Sequence, residues 1–302
     1  MCIATDINAA VQWSGINDHA RFGSHQGANI GIWQTEPACA PNNWPPVGNI
    51  TTPYTGPASN NLPAGTVRNN IRHAEDMSRV MRVVSPLAFI QCTPNSILPT
   101  LTQANAANPS IQVSSRSATF ITFSGNYAGI DQVADTSIQN TLVPHVNSAS
   151  NITPSSPFTV IRAGSRGYNV LTVENVNINT SPDSIHSSSK WSNANIQNEK
   201  PEISAPGFGT FLPLLSRGTG GTSAATAHTS AFIANLLDND AALIRRPMAV
   251  KSLVMSGATN TVTGGISRVG VGGIDYRNTS QFYETRNFRS VAAPPSLSLI
   301  HI

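Results

Sequence analysis

The chain has 302 residues, a formal net charge of +3 and only 11% charged residues, against roughly 25% in an average soluble domain. That length buries a full core and suits one large domain better than two small ones. The small net charge and scattered Lys and Arg point away from nucleic acid and membrane surfaces as partners, and no apolar run approaches the ~20 residues of a spanning helix.

The N-terminal "MCIATDINAA" has neither a basic head nor a continuous apolar stretch, so it does not read as a signal peptide. Residues 1–29 show no strong periodicity and are expected to be the N-terminal segment of a truncated chain. "ANIGIW" at 28–33 predicts a buried strand. The Pro-, Asn- and Gly-rich stretch from Pro37 to Gly65 predicts loop. In "RHAEDMSRVMRVV", Met77, Val80, Met81 and Val84 share one helical face, with Glu75, Asp76, Arg79 and Arg82 opposite, and Pro86 stops the helix. "ATFITFSG" (118–125), "FTVIRAG" (158–164) and "NVLTVENVNI" (169–178) predict strands. Ala224–Leu237 is apolar on most sides and predicts a buried helix, and Pro247 opens another at the position where proline costs least. Strands alternating with helices predict an α/β fold of three layers, a mostly parallel twisted sheet with helices on both faces. Cys2, Cys39 and Cys92 are odd in number and match no metal spacing, so they indicate neither a disulfide framework nor a zinc site. The last six residues, "LSLIHI" (297–302), resemble a translated sequencing adapter and are set apart from the fold, with 291–302 read as tail.

Five blocks occur in an order that resembles the subtilisin-like serine peptidases. "GTSAATAH" resembles the nucleophile motif G-T-S-x-A-x-P-H, with Gly221, Thr222, Ser223, Ala225 and His228 matching and Ala227 at the usual proline. "KPEISAPG" (200–207) matches K-P-[DE]-[IV]-x-A-P-G. "HAEDMSRVMRVVSPLA" resembles the histidine block through His73, Ala74, Val84, Pro86 and Ala88. "AGSRGYNVLTVENVN" resembles A-G-N-x-G and its following strand, and "RPMAVKSLVMSGATN" the closing helix. The resemblance runs from about Ile30 to Ile274 and implies a peptidase domain over 30–290.

Peptide hydrolysis needs a serine oxygen activated by a histidine, an acid that holds the histidine, and donors for the developing oxyanion. The resemblance implies Ser223 as nucleophile and His73 as base. A helix N-terminus at Ser223 would set backbone N–H groups near the developing charge; read without the other blocks, Ser223 is an N-cap. His228, five residues along, faces elsewhere and is expected to pack or hydrogen-bond in support.

The chain departs from the pattern at three places. "IGIWQTE" sets Gln34 at the position of the family acid, and a glutamine carries no charge to stabilise an imidazolium. Glu36, two residues on and on the same strand face, would substitute only if the alignment shifted by two positions; Asp6 and Asp18 lie outside the matched strand and are weaker candidates still. "AGSRG" sets Ser165 at the position of the oxyanion asparagine, and Glu174 stands where glycine is usual. Gln from Glu, Ser from Asn and Glu from Gly each need a single base change. The expected function is a serine endopeptidase weakened by Gln34 and Ser165; the alternative is an inactive pseudo-peptidase that binds peptide or protein. Substrate polypeptide would pair with an edge near Ser124 and Gly125. No cofactor and no defined metal site is expected, although calcium is common in the family. The protein would be a monomer, with a secreted or periplasmic full-length parent.

Overall fold

The computed structural model describes residues 5–6, 13–15, 26–37, 39, 54–55, 64–94, 110–117, 127, 129–154, 157–192, 200–207, 210–212 and 217–284, with backbone alone at 5–6, 54–55, 64–68, 210–212, 217–219 and 282–284. In chain order the elements are β1 (Thr5–Asp6), β2 (Gly31–Glu36), β3 (Tyr54–Thr55), α1 (Ala64–Val84), β4 (Phe89–Pro94), β5 (Ile111–Arg116) and α2 (Gly129–Thr141). There follow β6 (His145–Ser148), β7 (Leu171–Asn177), β8 (Ser184–Ile185), β9 (Ile203–Pro206), β10 (Thr210–Leu212) and β11 (Arg217–Thr219). The chain then forms α3 (Thr222–Asn239), a 3₁₀ turn at Ala241–Leu243, α4 (Pro247–Ser256), α5 (Ile266–Val269) and α6 (Tyr276–Glu284).

The main sheet runs β3-β4-β2-β5-β6-β7-β8, with β9 also paired to β7. Every pairing in it is parallel except β7 with β8. A small second sheet, β1-β10-β11, precedes the nucleophile helix. Along the main sheet the chain moves outward from β2 in both directions, to β4 on one side and to β5 on the other. The carboxyl ends of β2 and β5 therefore flank a topological switch point, where open α/β sheets hold their ligands.

Alternation along the strands sorts side chains between two layers. Ile32, Val113, Val146, Val173 and Ile203 face α1 and α3 in the largest core cluster. On the other face Trp33, Ile111 and Val143 form one cluster, and Ala134 and Ile138 of α2 pack with Val170. The central helix α3 is buried from Thr222 to Leu237 despite its many hydroxyls. Thr226, Thr229 and Ser230 each donate to the carbonyl four residues back, at 2.7–2.9 Å, which satisfies those hydroxyls inside the helix.

The mostly parallel three-layer fold agrees with the sequence expectation, and so do β2, α1, β7, α3 and α4. Two expectations are corrected. "FTVIRAG" is not a strand; only Val160 makes an isolated bridge, to Ser192. Cys39 and Cys92 are joined in a disulfide, so the odd cysteine count concealed a cross-link. "ATFITFSG" lies outside the described residues. No described helix is long and apolar enough to cross a membrane.

Candidate active site

Glu36 ends β2, and its carboxylate Oε2 meets His73 Nδ1 at 2.8 Å. His73 lies midway along α1, which packs over β2 through Ala74, Met77 and Met81. Nδ1–H donates to the carboxylate, which leaves Nε2 as the basic nitrogen. Burial alone would lower the affinity of His73 for its proton. The charge and hydrogen bond of Glu36, with a smaller contribution from Asp76, outweigh it and hold the ring above its ordinary value of 6.5.

The expectation that Gln34 takes the acid's place is corrected by this geometry. Gln34 and Glu36 share a face of β2, but Gln34 sits one turn of the pleat deeper and is fully buried. Its Nε2 donates to the Ala74 carbonyl at 3.0 Å and to Glu36 Oε1 at 3.3 Å, and its Oε1 accepts from Ser78 at 2.6 Å. Gln34 therefore touches the acid and the helix, while Glu36 touches the imidazole. The side chains of Asp6 and Asp18 lie outside the described residues.

Ser223 is the second residue of α3 and is 6% exposed. The N-cap is Gly221, at φ 87°, and no side chain of its own caps the helix, so Ser223 does not serve as a cap. Its Oγ donates to the Ser117 carbonyl at 3.0 Å, and Ser117 Oγ donates to the Ser223 carbonyl at 3.3 Å. Ser117 follows β5 directly. Thr35 of β2 is in register with Arg116 of β5, so Glu36 and Ser117 close two neighbouring strands, ~4.8 Å apart. The acid–imidazole pair and the serine thus converge on the same sheet end, at the switch point.

Ser165 is not at this helix. It is fully buried and donates to the Ser148 carbonyl at 2.7 Å. Asn151 is there instead: its Oδ1 accepts from the Thr222 amide at 3.1 Å and from Thr222 Oγ1 at 3.3 Å. A Cβ on Gly221 would lie 3.0–3.3 Å from the Asn151 amide, on a backbone already at positive φ. Glycine is required at 221 by both constraints. Asn151 is delivered by β6, and Ser150 before it takes the left-handed backbone, φ 79°. In the stretch "SASN" (148–151) a serine at positive φ thus precedes the asparagine that meets the helix. In letters, "AGSRG" resembled the motif more closely. Ser124 and Gly125 lie outside the described residues.

Further residues of the motifs have structural partners. His228 accepts or donates at 2.8 Å with Ser14 Oγ and is buried, which pushes its ring down to about 3. Lys200 and Lys251 both bind Glu202 Oε1, and both donate to the Val170 carbonyl. Among the described residues no three His, Cys, Asp or Glu side chains gather as ligands for a metal.

Comparison with known proteins agrees with this fold. The structure of the prenylagaramide maturation protease PagA superposes with a TM-score of 0.67 at 18% identity, over 88% of this chain and 97% of that one. A serine-to-alanine variant of the protease domain of PatA superposes at 0.64 with 15% identity, over 88% of this chain and 100% of that one. At such identities the likeness shows a shared fold. No curated protein matches the chain in sequence. The subtilase family profile, however, matches residues 58–272, which span His73, Asn151 and Ser223, and with that match over most of its length the chain belongs to the subtilase family.

Proposed function

We propose that the chain is a serine endopeptidase in which Ser223, His73 and Glu36 act as nucleophile, base and acid. The observation that carries this reading is the Glu36–His73 pair, at 2.8 Å, at the strand ends beside Ser223. In the reaction the Ser223 hydroxyl turns from the Ser117 carbonyl toward His73 Nε2 and attacks the peptide carbonyl as its proton passes to that nitrogen. Glu36 stabilises the imidazolium that results. The proton then goes to the leaving amine, an acyl-enzyme forms, and water releases the acid product by the same steps. The Ser223 backbone N–H belongs to the first helical turn and has no intrahelical acceptor. With Oδ1 of Asn151 held by Thr222, its Nδ2 hydrogens are free to join that N–H on the oxyanion. Substrate would extend along the chain leaving β5 past Ser117, toward the expected contacts at Ser124 and Gly125.

The hydrogen bond from Ser223 to Ser117 favours the second reading, a module that captures peptide without cutting it. A fluorophosphonate probe separates the two. Labelling of Ser223 well above a Ser223→Ala control supports the peptidase, and labelling equal to that control overturns it.

A further inference from the structure

The hydrogen bonds around Gln34 fix which way its amide points. The Ala74 carbonyl and the Glu36 carboxylate are both acceptors, so Nε2 faces them and Oε1 faces the Ser78 hydroxyl. The flipped amide would set an oxygen against two oxygens. A carboxylate at 34 has the same defect, because it accepts only. Set beside Glu36, it would leave the two acids sharing a proton near neutral pH. The Ala74 carbonyl also belongs to the residue after His73, so one side chain grips the acid and the turn that carries the base. Ser78 Oγ also lies 2.9 Å from the same Ala74 carbonyl, so its single proton is shared between that oxygen and Gln34 Oε1.

We infer that Gln34 is a positioning residue: its amide holds Glu36 Oε1 and the His73 turn of α1 together, so that Oε2 stays on Nδ1. The inference rests on the peptidase reading for its purpose. Gln34 then is matched to an acid two residues along the strand and is not the remnant of an acid lost at its own position. Restoring a carboxylate there is expected to harm the site. The other charged groups facing this pair are Arg116 from β5, behind Glu36, and Asp76 on the helix of His73.

Three variants and two readouts test this. Gln34→Met keeps the length and loses both donors. Gln34→Glu exchanges donors for charge. Ser78→Ala frees Oε1 with the smallest disturbance, and decides the matter if the other two fail to fold. The readouts are the pH profile of fluorophosphonate labelling at Ser223 and the titration of the His73 ring by NMR, which needs no turnover. Gln34→Met should slow labelling at neutral pH by about 10- to 100-fold, the range for one hydrogen bond to a charged group. It should also bring the His73 titration down toward the ordinary imidazole value. Gln34→Glu should slow labelling at least tenfold, and Ser78→Ala should move both readouts the same way as Gln34→Met, by less. Labelling of Gln34→Glu at or above the wild-type rate overturns the inference, as does an unchanged His73 titration in Gln34→Met or, failing its folding, in Ser78→Ala. A wild-type chain that the probe does not label overturns the peptidase reading instead, and the His73 titration still decides the role of Gln34.

Discussion

A glutamate is one methylene longer than an aspartate, so from the last residue of a strand it reaches further toward a neighbouring helix. Glu36 uses that reach to meet Nδ1 of His73 from two positions beyond Gln34. Glu36→Gln is expected to lower kcat on the order of 10⁴-fold, the loss seen when such an acid becomes its amide. His73 should then also titrate lower, because the charge that raises it is gone. At the other side of the serine, Asn151→Ala is expected to lower kcat by about 10²–10³ with KM little changed, since the lost donor acts on charge that develops only in the transition state. Steady-state kinetics on an unstructured peptide checks both. The blocks around Ser223 and His73 keep residue identity and order, so those two positions could be read from letters alone. Letter matching also pointed to Gln34 and Ser165, whereas Glu36 beside His73 and Asn151 beside Thr222 show only in side-chain contacts and in the backbone at Ser150.

At the scale of elements, strand β7 carries a cost that its neighbours offset only in part. Glu174 points to the face of β7 away from α3, fully buried, and neither carboxyl oxygen has a hydrogen-bond partner. Burial raises it from 4.5 to about 9, against a smaller opposing pull from Arg268. A folded-state pKa above the unfolded one means that the native chain holds a proton the unfolded chain releases. Stability from this group is therefore full below the unfolded value, about pH 4.5, and is lost as pH rises toward 9. Glu174→Met should remove that dependence, raising Tm little at pH 4.5 and by progressively more up to pH 9. At about 1.4 kcal/mol for each pH unit of the window, the gain amounts to a few kcal/mol. Thermal melts across that range provide the check. The sequence marked Glu174 as foreign to its strand but could not show what surrounds it. Helices α1, α3 and α4 were legible from apolar spacing and from Pro247. Strands β4, β5 and β6 were not, because "FIQCTP" carries half-buried Gln91 and Thr93, and "IQVSSR" and "HVNS" carry polar residues that are buried in the sheet. A buried polar residue satisfied by a partner gives no apolar pattern to read.

Across the whole molecule, the scarcity of charge conceals how much of it is internal. Arg166 with Asp131, and Glu202 with Lys200 and Lys251, form ion pairs inside the domain. Such pairs contribute little net stability over an apolar filling, yet losing one partner leaves the other exposed to its full desolvation cost. Composition shows how few charged residues there are and does not reveal where they sit. The parallel order of the sheet, by contrast, followed from alternation of strands and helices, and it sets Glu36 and Ser117, the hydrogen-bond partner of Ser223, at the ends of adjacent strands.

The Cys39–Cys92 bond couples this arrangement to the surroundings of the protein. Cys39 comes three residues after Glu36, and Cys92 lies on β4, in register with Gln34. The cross-link therefore acts as a strut on the chain just where it leaves the acid, and a thiol reductant becomes a chemical control on acid geometry. Reduction, or Cys92→Ser, should lower stability by about 2–5 kcal/mol. Fluorophosphonate labelling at temperatures well below the melt should slow as well, while the far-UV circular dichroism is still native. An unchanged labelling rate in the folded, reduced chain would confine the strut to stability. A slowed one would make the oxidised state a condition of cutting, so that the same polypeptide would stay dormant among thiols and be armed by oxidation.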